Sequence, residues 1–160
     1  MKIFEWFKQI VSGEQLAPSE MITQEAATAA KPRIEETGEF AGLDFKTAID
    51  AHVKWKVRLD HYINGTSDED LKVDTVSRDD QCMLGKWIHS DVSQQFADIR
   101  EFQEMKMEHA RFHLAAGDIL SCSQAGDKEG ALDKLHHGDY AKASERVKLF
   151  LARLYVKLVH

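Results

Sequence analysis

Apolar positions in the latter part of this chain recur in threes and fours, the spacing of amphipathic helices. The first such run covers about residues 44–64, joins Phe45, Ala48, Ile49, His52, Trp55, Leu59 and Tyr62 in one stripe, and stops at Gly65, a suitable residue just past a helix end. A loop over about 66–76 follows. Ser77-Arg78-Asp79-Asp80 then has the form of a helix N-terminus, which predicts a short helix with Cys82 near its start, continuing through Trp87. The next stripe, within about 96–123, joins Phe102, Met105, His109, Phe112, His113, Ala116 and Leu120. Asp127 can cap a last helix running to about residue 159, with Tyr140, Ala143, Val147, Phe150, Leu151, Leu154 and Leu158 along one seam. Alternating β-branched runs and Asn-Gly hairpin turns are absent. The pattern predicts an all-α fold: an antiparallel four-helix bundle with a short extra helix carrying the cysteine.

The beginning of the chain differs. Residues 1–11 set Ile3, Phe4, Trp6, Phe7, Ile10 and Val11 against Lys2, Glu5, Lys8 and Gln9, a short amphipathic segment with a broad apolar face. Residues 12–43 hold both prolines, many Glu and Ala, and few large apolar side chains, which predicts a flexible linker with transient helix around 25–30. The expected organisation is thus an N-terminal segment (1–11), a linker (12–43) and a helical bundle (44–160). The segment could lie on a membrane, enter a partner's groove or fold onto its own bundle. Two lysines against one glutamate argue weakly for the membrane, so docking to protein is the expectation.

Composition narrows the function classes. The 160 residues suffice for one domain with a sizeable core, and a net charge of -6 without a basic patch argues against nucleic acid. Apolar stretches fall well short of the ~20 residues needed to cross a bilayer, and the N-terminus lacks a signal-peptide core, so a cytoplasmic location is expected. Only Cys82 and Cys122 could react or bind metal through sulfur. Cys122, nine residues after His113 on the same predicted helix, falls on the opposite side and reads as a bystander.

Four potential ligands remain: His52, Cys82, His109 and His113. Three imidazoles and a thiolate make a complete tetrahedral set for zinc. His109 and His113 are spaced i,i+4, which on a helix puts both rings on one face, about 5–6 Å apart at Cβ. A single core histidine usually finds backbone or carboxylate partners. Three on core stripes would be a heavy polar load, because each buried imidazole needs both a donor and an acceptor satisfied, and a shared metal removes that load. A helix N-terminus also favours the thiolate of Cys82. Trp55, Leu84, Gly85 and Trp87 are the expected supporting residues: Trp55 as a wall that excludes water, Gly85 as the point where the Cys82 turn comes close to a neighbouring helix. His89 is the one conceivable fifth ligand, and His61, His136, His137 and His160 fall outside the pattern.

His52 with Trp55, the run Cys82-Met83-Leu84-Gly85-Lys86-Trp87, and His109-Ala110-Arg111-Phe112-His113 together resemble the bacterial chemoreceptor zinc-binding (CZB) domain family. The similarity extends over about residues 44–159 and includes His137-Gly138-Asp139-Tyr140 up to Ser144 in the last helix. The resemblance implies a zinc ion held by His52, Cys82, His109 and His113 in a four-helix bundle that often forms homodimers. It further implies a sensory module for zinc or for oxidants such as hypochlorous acid, of a kind commonly joined to chemoreceptors or diguanylate cyclases. Neither a cyclase domain nor a receptor signalling hairpin follows here, so the expected output runs through a protein partner, through dimerisation or through residues 1–11.

A site with all four positions filled by protein suits sensing or structure rather than catalysis, so no enzymatic activity is expected. Two rival readings stand beside the sensor: an adaptor bundle whose zinc is purely structural, and a hemerythrin-like di-iron protein. The latter needs carboxylates beside the histidines, and both Glu108 and Asp118 lie off the stripe.

Overall fold

The computed structural model describes residues 3–13 and 38–160. Most of the expected linker, including the transient helix near 25–30, lies outside the described residues. Within them the chain forms α1 (Ile3–Ser12), a hairpin of β1 (Glu39–Phe40) and β2 (Leu43–Asp44), α2 (Phe45–Ile63), α3 (Val73–Val76), α4 (Met83–Ile88), a 3₁₀ turn (Val92–Phe96), α5 (Arg100–Gln124), α6 (Lys128–His137) and α7 (Asp139–Val159). This is the all-α helical bundle that the periodicity implies.

Helix α2 begins where the Asp44 carboxylate accepts the Thr47 N–H at 3.0 Å and ends at Asn64, with Gly65 just beyond at φ 74°. Phe45, Ala48, Ile49, His52, Leu59 and Ile63 are its buried face. Trp55 and Tyr62, expected on that face, are only half-buried, and the Arg58 guanidinium covers the Trp55 ring at 3.9 Å. Helices α5 and α7 form the principal seam of the core, where Phe102, Met105, Phe112 and Leu120 meet Tyr140, Val147, Leu151 and Leu154.

Three local features depart from the sequence pattern. The expected last helix is two, because Gly138 adopts an extended conformation between α6 and α7 while its N–H bonds to the Lys134 carbonyl at 3.1 Å. A Cβ at Gly138 would stand 2.7 Å from that carbonyl oxygen, so the break tolerates only glycine. The Ser77–Asp80 run is not the cap of the cysteine-bearing helix. Ser77 closes α3, Arg78 pairs with Asp80, and Cys82 is itself the N-cap of α4, its sulfur accepting the Gly85 N–H at 3.3 Å. A two-residue hairpin also stands where strand signals were missing. Ala41 (φ 52°) and Gly42 (φ 80°) both take the positive φ that matches the twist of a tight hairpin.

Helix α1 is docked on the bundle. Ile3, Trp6, Phe7 and Ile10 are buried, and the segment packs along α7. Phe7 is fully covered and stacks on Tyr155 at 4.1 Å between ring centroids. Among the described residues no helix is long and apolar enough to cross a membrane.

Truncating Phe7 tests that docking. Phe7→Ala should cost about 3–5 kcal/mol, the usual penalty for deleting a buried aromatic ring, and lower the urea midpoint accordingly. An unchanged midpoint would show that α1 does not contribute to the folded core in solution.

Candidate metal centre

Four side chains from three elements converge: His52 from α2, Cys82 from the N-cap of α4, and His109 and His113 from successive turns of α5. One ligand atom from each lies within 4.8 Å of every other. Nε2 of His109 is 3.1 Å from Nε2 of His113 and 3.3 Å from Sγ of Cys82, which in turn lies 4.0 Å from Nε2 of His52. The three histidines are buried and Cys82 is half-buried.

The far side of two rings fixes which nitrogen faces inward. Nδ1 of His52 donates to the Ala48 carbonyl at 2.6 Å, one turn back on its own helix. Nδ1 of His113 donates to the Val76 carbonyl at 2.8 Å. Both rings must therefore carry their proton outside, leaving a bare Nε2 lone pair aimed at the cluster, as in histidines that bind metal. Nδ1 of His109 is buried without a partner among the described residues, and its Nε2 stands between the nitrogen of His113 and the sulfur of Cys82.

These donors need a proton or a cation shared among them, and a cation at the centre satisfies all four at once. A tetrahedral zinc with bonds of about 2.0–2.1 Å to nitrogen and about 2.3 Å to sulfur places neighbouring nitrogens about 3.3 Å apart and nitrogen–sulfur pairs about 3.6 Å apart. The nitrogen–sulfur separations found here, 3.3 and 4.0 Å, bracket the second value, and the 3.1 Å nitrogen pair lies close to the first, so the residues fit the ion. Burial acts on the same groups. It lowers His52 to about 4, with a smaller contribution from His113 nearby, and His109 to about 2. It also lowers His113 and pushes the Cys82 thiol up, against the opposing Gly85 N–H. The imidazoles are thus held neutral, ready to donate, while the sulfur needs a cation to become thiolate.

The residues expected to support the site are placed as follows. Leu84 is buried behind Cys82. Gly85 does permit a close approach, but of the Asp79 backbone in the preceding loop, not of a neighbouring helix: an added Cβ would collide with the Asp79 carbonyl. Trp55 flanks the cluster, half-exposed under Arg58. Trp87 faces away from it. Its Nε1 donates to the Ala41 carbonyl at 2.9 Å, and its ring packs on Phe45, Phe96 and Phe102. His89 pairs with Asp79 at the surface, and the Cys122 thiol lies 3.6 Å from the Asp127 carbonyl; neither belongs to the cluster.

Two contributors were not legible in the sequence. Val76 supplies the carbonyl that orients His113, and Gly117 lets that loop descend onto α5, since a Cβ there would meet the Ser77 hydroxyl oxygen at 1.9 Å. A glycine inside a long helix was the available signal. Glu108 is buried, not on a polar face, held by Arg111 at 2.9 Å and Arg146 at 3.3 Å. It faces those arginines and is no part of the cluster, and Asp118 is paired with Lys134. With no carboxylate in the group, the di-iron reading finds no support.

Residues 52–120 match the family described as the chemoreceptor zinc-binding domain. Over these residues the chain is similar to that family. The match opens on His52 and takes in all four converging residues, α4 and most of α5. It is shorter than the likeness over residues 44–159 drawn from the motifs. Neither a curated protein nor a solved structure matches the chain.

Burial of neutral imidazoles gives the metal-free protein a signed pH dependence. An unfolded histidine takes its proton near 6.5, whereas His52 refuses it until about 4. The unfolded state therefore binds more protons across that window, so stability is complete above 6.5 and falls as the pH drops toward 4. Melting temperatures of chelator-treated protein should decline across this range, and His52→Gln should decline less steeply. Identical slopes for the two proteins would contradict the burial of His52 as a neutral ring.

Proposed function

We propose that this chain is a zinc-binding sensory module of the cytoplasm, in which His52, Cys82, His109 and His113 hold the ion and report zinc availability or oxidants to a protein partner. The observation that carries this reading is the set of inward lone pairs, two of them locked by backbone carbonyls, on a donor set without a carboxylate. Three nitrogens and one sulfur favour zinc over harder cations, and four protein ligands leave no open position for substrate. Zinc, when bound, supplies the positive charge that keeps Cys82 a thiolate and joins α2, α4 and α5.

The sensing role is assigned to Cys82 because of where it sits. The three histidines are set in the two long helices α2 and α5, whereas the sulfur stands at the head of α4, six residues long. Motion of that element disturbs least of the core. Oxidation of Cys82, by hypochlorous acid for example, removes the only anionic donor and releases one corner of the site. The likeness to the chemoreceptor zinc-binding domain over residues 52–120 supports an output in chemotaxis or cyclic-di-GMP signalling, passed on through a homodimer or another protein, with no catalysis by this chain. Helix α1 and the exposed Met107 and Leu114, seven residues apart on α5, are the surfaces on offer for such contacts. The second reading, an adaptor with structural zinc, shares the site and differs only in whether its occupancy changes the assembly.

Elemental analysis of the purified full chain should give one zinc per chain, and Cys82→Ala and His113→Ala should each lose stoichiometric zinc. Chelation should remove a large part of the stability, on the order of 10 kcal/mol by analogy with zinc peptides. Wild-type protein without zinc, or unchanged zinc in both variants, sinks the proposal. If chelator and hypochlorous acid leave helix content, oligomeric state and partner binding unaltered, the adaptor reading takes its place.

A further inference from the structure

A cavity of about 550 Å³ opens beside the cluster, with Cys82 and His113 in its wall. Trp55, Leu71 and Val76 give it an apolar floor. Its charged lining is Lys54, Arg58 and Lys72 against the single acid Asp70, an excess of positive charge on a chain whose net charge is -6. Arg58 pairs with Glu69 and Lys72 with Asp70. Both pairs are solvent-exposed and therefore weak enough to be exchanged for a ligand's charges. Lys54 has no ion pair among the described residues.

The size of the cavity separates two kinds of visitor. A peroxide or hypochlorite occupies little more than a water molecule's share of volume, about 30 Å³. Pockets of about 300–1,000 Å³ hold small organic molecules with a mostly apolar wall and a few placed charges. This cavity falls in the second class, and its charges call for an anion. One thing distinguishes it from an ordinary ligand pocket: half-buried Cys82 of the metal cluster forms part of its wall.

Resting on the zinc-site reading above, we propose that the cavity admits a small anionic disulfide, a di-carboxylate thiol dimer of the glutathione disulfide class, which reacts with Cys82. The thiolate sulfur of Cys82 attacks one sulfur of the disulfide. A new Sγ–S bond forms, the original S–S bond breaks, and the other half departs as a thiolate carrying the electron pair. Cys82 is oxidised, the departing half is reduced, and no proton or outside oxidant is required. The retained half stays in the cavity with its carboxylates toward Lys54 and Lys72. A sulfur in a disulfide is no longer an anionic donor, so the ligand set falls from four to three. Cys122 is the internal contrast because it lies outside the cavity's lining, its sulfur 3.6 Å from a carboxylate oxygen of Asp127.

The test uses the zinc-loaded full chain carrying Cys122→Ser, treated with glutathione disulfide or with the cationic disulfide cystamine. Adduct on Cys82 is followed by peptide mass and zinc release by a chromophoric chelator, with rates normalised to an unstructured cysteine peptide. The anionic disulfide should react faster by at least about tenfold, the lower end of electrostatic steering in a charged cleft. Lys54→Glu with Lys72→Glu, both at exposed positions, should abolish or invert that preference while the cystamine rate rises. Zinc bound with equal normalised rates, with no adduct on Cys82, or with a preference indifferent to the charge reversal overturns this proposal alone. A purified chain without zinc overturns it together with the zinc-site reading.

Discussion

Lone pairs on three imidazole nitrogens and one sulfur meet within 4.8 Å of one another, and contacts elsewhere on the side chains help aim them there. The Ala48 carbonyl turns His52, the Val76 carbonyl turns His113, and the Gly85 N–H holds the sulfur. Among the described residues no carboxylate joins the group. A cation at the centre satisfies all four donors at once, and part of the local architecture holds them in place. Gly117 lets the α3 loop reach α5, and Gly85 lets the first turn of α4 lie against the Asp79 backbone.

The same short helix links the site to the rest of the core. Cys82 begins α4, and Trp87 near its end is bonded to the hairpin through the Ala41 carbonyl and packed against Phe45. Phe45 lies 5.4 Å from Tyr155 between centroids, and Tyr155 is the ring on which Phe7 of α1 stacks. A continuous set of aromatic contacts thus runs from the element that carries the sulfur to the N-terminal helix. Packed interiors transmit displacement because they contain few voids.

A buried carboxylate shows how the bundle handles charge when no metal is involved. Glu108 sits next to His109 in sequence yet lies on another side of α5, where Arg111 and Arg146 meet it. Adjacent residues on a helix diverge by about 100°, so one serves the cluster while the other ties α5 to α7. The separation keeps the metal group free of carboxylate and its donor set soft.

How much of this the sequence contains depends on the range of the interaction. The helical period, the Asp44 and Asp127 caps, the stop at Gly65 and the shared face of His109 and His113 are local, set by steric and hydrogen-bonding rules that act within a few residues. The identity of the four converging residues was legible for a related reason: spacing and residue type limit which side chains can share an ion. The Gly138 break, the hairpin at Ala41 and Gly42, the use of Cys82 as a cap and the docking of α1 on α7 depend on partners distant in the chain, or on clashes that exist only once the helices are packed. The ring of His52 is turned locally, by the carbonyl one turn back on its own helix, whereas the nitrogen that His113 presents is chosen by a tertiary contact with the Val76 carbonyl, 37 residues away.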